Sequence, residues 1–199
     1  MSVRHSSLTG TALHEPKGVA AASNKMVYIA DGAGSGAWTY FPTGWEHSKD
    51  NASAQTFNTS AAQLSIDGAG SASENSYLPP AIRASGALWN TTDDAITPIA
   101  LGDAYSVRVD LPITAKSGSP NTILVQLDIG GTGSPSVVIV NESVAVPGSV
   151  PYTVTLSYPL FVGATFLANG CEIFLSTDTG TIDITAPGIT IIRDHAGGI

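Results

Sequence analysis

Charge is what this sequence has least of. Only 12% of its 199 residues are charged, 8 Lys and Arg against 16 Asp and Glu, roughly half the proportion of an ordinary globular chain. The net charge is -8 and the few cations are scattered. Binding to a nucleic-acid backbone needs clustered Lys and Arg to displace counterions, so nucleic acid is excluded as a partner. The same acidity argues against docking on an anionic membrane. There is one cysteine, Cys171, so no intrachain disulfide can form. It sits in the apolar string Cys171-Glu172-Ile173-Phe174-Leu175, where a buried thiol acts as a small hydrophobe. No apolar run approaches the length of a membrane-spanning helix. The leading MSVRHSSLTG has no apolar core of the signal-peptide kind, so synthesis in the cytoplasm without secretory export is expected. The four histidines, His5, His14, His47 and His195, are far apart. The adjacent pair His14-Glu15 points to opposite faces if extended, so no zinc site is expected.

Against this low charge stands a 43% hydrophobic content, with Ser, Thr, Gly and Asn taking the place of charge. That balance suits a chain whose surface is largely covered by partners. From Tyr77 onward, strand signals are dense: 86–90, 95–101, 104–114, 121–129, 135–141, 151–158, 171–177 and 181–193. Val, Ile, Leu and Thr fill them; Gly, Pro, Asn and Asp mark the gaps. Tyr105-Ser106-Val107-Arg108-Val109-Asp110-Leu111 alternates apolar with polar, the period of a half-buried strand. The spacing predicts an all-β fold, an antiparallel jelly-roll-like β-sandwich over 77–199. Only Pro159 to Leu167 reads as a helical turn or loop.

The N-terminal part differs. Residues 1 to about 24 have no periodic apolar face, and Pro16 and Gly18 disfavour regular structure. An extended arm, ordered only against another subunit, is expected. Met26-Val27-Tyr28-Ile29-Ala30 and Ala37-Trp38-Thr39-Tyr40-Phe41 read as two strands of a hairpin around a Gly-rich turn. Trp38, Tyr40 and Phe41, with Trp45 beyond, are candidates to pack at an axis between chains. Residues 46–76 read as a polar linker or an edge strand. The expected domains are therefore 1–45, arm and hairpin; 46–76, linker or edge; and 77–199, sandwich.

No constellation suggests catalysis. Gly32-Ala33-Gly34-Ser35-Gly36 lacks the Lys and the helix of a phosphate loop. Asp93-Asp94, Asp67-Gly68 and the string Asp178 to Asp183 offer loop oxygens without the spacing of a calcium-binding loop; Asp side chains capping turns explain them better. No nucleophile-base-acid set is discernible. The expectation is a non-enzymatic protein without cofactor or metal.

One string carries a resemblance. Leu8-Thr9-Gly10-Thr11-Ala12-Leu13-His14-Glu15-Pro16-Lys17-Gly18-Val19-Ala20, followed by Val27 to Trp38, resembles a leader of small virion proteins of tailed bacteriophages, the head decoration and head or tail fibre proteins. The resemblance spans about the first forty positions. It implies attachment to a particle, homotrimerisation, and a virion location on the capsid surface or in a fibre. The partners implied are the major capsid protein or another virion protein. On that basis Leu13, His14, Glu15, Pro16, Lys17, Gly18 and Val19, with Trp38 and Tyr40, are the candidate anchor and trimer-interface residues. A rival expectation is a tail fibre or receptor-binding adhesin, its sandwich binding host surface glycan through exposed aromatics such as Trp89 or Tyr152.

Overall fold

The computed structural model describes residues 22, 26–30, 36–40, 43–51 and 53–197. The chain divides into two compact units, Met1–Phe41 and Pro42–Ile199.

In the first unit β1 (Met26–Ala30) and β2 (Gly36–Tyr40) pair antiparallel. The register sets Tyr28 against Trp38 and Met26 against Tyr40. Residues directly opposite share a face, so these four line one side of the hairpin. Tyr28 and Trp38 meet edge to face at 5.5 Å and 65°, the geometry favoured by aromatic quadrupoles. None of the hairpin's described side chains is buried.

The second unit is a sandwich. Its strands are β3 (Gly44–Lys49), β4 (Ala54–Phe57), β5 (Ala62–Gln63), β6 (Trp89–Asn90), β7 (Ala95–Ile96), β8 (Ala104–Ser117), β9 (Thr122–Asp128), β10 (Val138–Ala145), β11 (Tyr152–Phe161), β12 (Cys171–Thr177), β13 (Thr181–Thr185) and β14 (Gly188–His195). Two short helices, α1 (Pro80–Ala84) and α2 (Ala164–Asn169), lie between strands. One sheet runs β3-β14-β8-β11, with β13 and β4 continuing along the far half of β8. The other runs β6-β7-β12-β9-β10, with β5 also on β12. Every pairing is antiparallel. The chain crosses from sheet to sheet as two interlocked Greek keys, which is the jelly-roll order, as the strand spacing led us to expect.

Alternation drives the layering. Tyr105, Val107, Val109, Leu111 and Ile113 of β8 point inward, as do Val154, Leu156, Tyr158 and Leu160 of β11. They meet Ile123, Val125 and Leu127 of β9 and Ile173 and Leu175 of β12 in one core. All seven residues of β12 are buried, the mark of a central strand covered on both faces.

Three expectations need correction. The sandwich begins at Gly44 and not at 77, because β3 and β4 are edge strands of the first sheet and Phe57, Leu64 and Ile66 belong to its core. Hydrophobic pattern hides β3 because its inward positions are Glu46 and Ser48, both buried. The strand expected over 181–193 is two, broken at Ala186, whose φ is +52°, and Pro187. A Cβ-bearing residue at positive φ and a residue without an N–H together end the ladder, so β13 pairs with β4 while β14 pairs with β3. The stretch from Pro159 continues β11 to Phe161 before turning into α2.

Candidate interaction surfaces

Of the residues expected to anchor the chain, Leu13, His14, Glu15, Pro16, Lys17, Gly18 and Val19 lie outside the described residues. Trp38 and Tyr40 are half-buried on β2 and share a face with Tyr28 and Met26. Trp45, expected to join them, stacks instead on Tyr77 inside the second unit, ring centres 4.6 Å apart and 14° from parallel.

The outer face of the first sheet carries two exposed large apolar side chains, Ile192 and Phe161. The register places Trp45, Ile192, Ser106 and Pro159 in one row across β3, β14, β8 and β11, with Phe161 at the end of β11, 74% exposed. The next rows are polar: His47 Nδ1 lies 2.9 Å from Thr190 Oγ1, and Arg108, Asp110 and Thr155 join through the Asp110 carboxylate at 2.7 to 3.1 Å. On the other sheet, Val137, Val138 and Ile139 are exposed at the start of β10, which ends that sheet. Tyr152 is half-exposed at 51%, whereas Trp89 is 2% exposed and its indole N–H donates to the Ile66 carbonyl at 2.8 Å. A glycan platform on Trp89 is therefore ruled out by burial. The indole ring fills the core and its one polar atom is already bonded.

The buried groups Glu46, Asp103 and Arg193 are committed to structural hydrogen bonds. Glu46, expected in a linker or edge strand, accepts the Leu88 and Trp89 N–H groups at 2.6 and 3.2 Å and the Ser48 hydroxyl at 3.2 Å. Burial outweighs these bonds and raises its pKa. Asp103 takes the Arg193 guanidinium in a fork, at 2.7 and 2.9 Å, and also the Tyr105 hydroxyl and the N–H groups of Ala100 and Gly197. Burial pushes its carboxyl up, but Arg193 and these donors together hold it below the usual carboxylate range. The same desolvation, with the Asp103 charge, drives the Tyr105 phenol up. The Cys171 thiol is fully buried and burial raises its pKa steeply, with Asp128 and Glu172 adding to the effect. It stays a neutral thiol, as its apolar context suggested. Asp67 and Asp128 accept the N–H groups of Ala69 and Gly130, each two residues on, the turn-capping use expected of such residues.

Sequence reasoning missed a cleft on the outer side of the second sheet. Gln63, Thr92, Asp93, Gly131, Asn169 and Glu172 line it, and it measures about 510 Å³. Of its lining only Asp93 was weighed for a cation, and set aside for want of calcium-loop spacing, since the cleft's residues come from five separate places in the chain.

No protein-family model matches this chain, and no curated protein sequence does. Solved structures resemble it at low identity. The PRD1 vertex protein P5 is 13% identical, with 87% of this chain and 85% of that one covered and a TM-score of 0.49. The Eiger TNF of S. frugiperda is 11% identical over 80% of this chain and 97% of that one, TM-score 0.40. A chain of broad bean stain virus is 12% identical over 88% and 89%, TM-score 0.36. Likeness at this level assigns neither family nor function.

Proposed function

We propose that this chain is a non-enzymatic structural component of a phage virion, a homotrimeric capsid decoration or head-fibre protein held to its shell by the N-terminal segment. The observation that carries the reading is the contrast in burial between the two units. A two-stranded hairpin that buries none of its described side chains is marginal in water by itself. It gains stability only where its Tyr28, Trp38 and Tyr40 face is covered. Sister hairpins and the shell are the natural cover, given the leader's resemblance and a charge content of 12%. Linked weak contacts from three arms would add as multivalent attachment. The buried Cys171 thiol and the committed carboxylates Glu46 and Asp103 support a role without chemistry. The adhesin reading keeps Tyr152 as an exposed aromatic but loses Trp89.

The test compares the full chain with one lacking residues 1–41. The full chain should run in solution at three times 20.3 kDa and bind particles in hundreds of copies, on the order expected for a shell-covering protein by multivalent contact. The shortened chain should stay folded, run as a single copy and leave the particle. Undiminished trimerisation and particle binding by the shortened chain would overturn the proposal. A few copies at one tail position would favour the fibre or adhesin.

A further inference from the structure

Glu172 is the outlier among the buried polar groups. It is 8% exposed, and its Oε2 has no hydrogen-bond partner, the only buried side-chain nitrogen or oxygen among the described residues in that condition. An orphaned carboxylate oxygen is costly, more so than an orphaned neutral group. Its neighbours make the cost larger. On the outer face of the second sheet Glu172 stands directly across from Asp128 of β9, and like charges so placed repel. Burial, and then the Asp128 and Asp93 charges, push the Glu172 pKa up against the help of the Gly133 N–H. No cation is among the groups that act on it. Asp128 relieves itself by accepting the N–H groups of Gly130, Ser136 and Val137; Glu172 has no such ladder.

Gln63, Thr92, Asp93 and Asn169, all oxygen-bearing, line the cleft with Glu172. The Gln63 amide nitrogen is committed to the carbonyls of Asp93 and Asp94, at 2.7 and 3.2 Å. The Asn169 amide nitrogen is committed to the Ile129 carbonyl at 3.0 Å. With each nitrogen so used, the amide oxygens of Gln63 and Asn169 are the acceptors these two lining residues still carry. Thr92 adds a hydroxyl and Asp93 a carboxylate, one oxygen of which takes the Asn90 amide at 2.6 Å. The loop that closes this end is shaped to come near: Gly131 has φ +63°, and a Cβ there would stand 2.9 Å from that of Asn169.

We propose that this cleft binds a hard divalent cation of calcium type, through the carboxylates of Glu172 and Asp93 and neutral oxygens of Gln63, Thr92 and Asn169. Calcium accepts six to eight oxygen ligands in loose geometry, including amide and hydroxyl oxygens and water. Among the described residues no three Asp, Glu, His or Cys side chains converge on one point. That excludes a zinc-like cage and leaves a site of two carboxylates with neutral donors. At about 510 Å³ the cleft leaves room for water on the ion, which places affinity in the weak class of about 0.1–1 mM. The ion would bridge the sheet at β12 to the turn at 91–94 and to the end of α2.

The experiment is thermal unfolding of the full-length protein in chelator and then in about 10 mM calcium chloride, a saturating level for that class. Sodium chloride of equal ionic strength is the control, since any salt screens a chain of charge -8. Calcium should raise the midpoint by about 4 °C beyond the sodium control. Glu172→Gln should raise the midpoint in chelator, by removing a buried charge, and abolish the calcium response. Asp93 is exposed, so Asp93→Asn keeps the fold and should cut calcium affinity about tenfold or more in a calorimetric titration, the loss of one charged ligand. A wild-type midpoint that responds equally to sodium and calcium overturns the proposal. So does calcium binding undiminished in Asp93→Asn.

Discussion

The hairpin and the sandwich solve opposite problems with the same kind of strand. In β8 and β11 every second side chain disappears into a core shared with the facing sheet. In β2 exposure alternates in the same way, yet no described side chain of the hairpin is buried. Period two therefore states which face a strand wants covered, and says nothing of what covers it. The sandwich supplies its own cover through two Greek keys. The hairpin, under the function proposed above, takes it from other chains. Substitutions in the sandwich should then act on folding, and those in the hairpin on assembly.

The largest effect expected is in the sandwich, at the Arg193–Asp103 pair. Both side chains are almost fully buried, and Arg193→Ala would leave an unpaired carboxylate in the core. The expected loss is about 3–5 kcal/mol, read from urea denaturation of the sandwich. The pH dependence sharpens it. In the wild type the Asp103 pKa is depressed, so its contribution is complete above the unfolded carboxylate pKa and disappears as pH falls through the lower folded value. In the variant the unpaired carboxyl would have a raised pKa, and protonation would relieve it as pH drops from neutral toward the ordinary range. Both trends narrow the gap between wild type and variant on acidification. A gap unchanged from pH 7 to pH 3 would show that the pair is not what Arg193 contributes.

A smaller loss is expected at Glu46, the residue that ties the edge strand β3 to the Leu88–Trp89 segment. Glu46→Ala leaves two backbone N–H groups without their acceptor, a loss of about 1–3 kcal/mol. Glu46→Gln keeps an acceptor and removes a charge that burial disfavours, so it should recover most of that stability. Equal losses in the two variants would mean that the charge, and not the acceptor, matters at this site.

These residues also mark where the sequence was legible and where it was not. The strands β8, β9, β11 and β12 could be placed to within a few residues because their inward positions are largely aliphatic and their turns are marked by Gly, Pro and Asp, whereas 181–193 was read as one strand and is two. The hairpin's two strands were legible as short runs of apolar and aromatic residues on either side of a Gly-rich string. β3 was not, since a carboxylate and a hydroxyl occupy its buried positions, bonded to each other, and the carboxylate takes its backbone donors from about forty residues away. Trp89 was read as exposed because nothing local shows that its N–H would meet Ile66. The cation cleft was illegible for a different reason. Glu172 looks like one polar residue in an apolar strand, and its significance arises only when folding places Asp128 opposite it and Asp93 nearby.

The smallest effect on folding, and the most telling for the comparison, is expected from Trp38→Ala. Trp38 packs edge to face on Tyr28 within the first unit, so its loss should leave the sandwich's stability within about 0.5 kcal/mol of wild type. Assembly should weaken, because a rigid aromatic is among the side chains that contribute most to an interface. Sedimentation at falling protein concentration should show the variant dissociating at least tenfold sooner than wild type, on the order of a lost hot-spot contact. Val27 and Thr39 supply the control, since they share the opposite face of the hairpin. Thr39→Ala should leave assembly where it was if the Tyr28, Trp38 and Tyr40 face is the one that other chains cover. If Thr39→Ala weakens association as much as Trp38→Ala, both faces are covered and the hairpin is threaded between neighbours. If neither does, the hairpin is not the assembly element, and the division of labour between the two units fails.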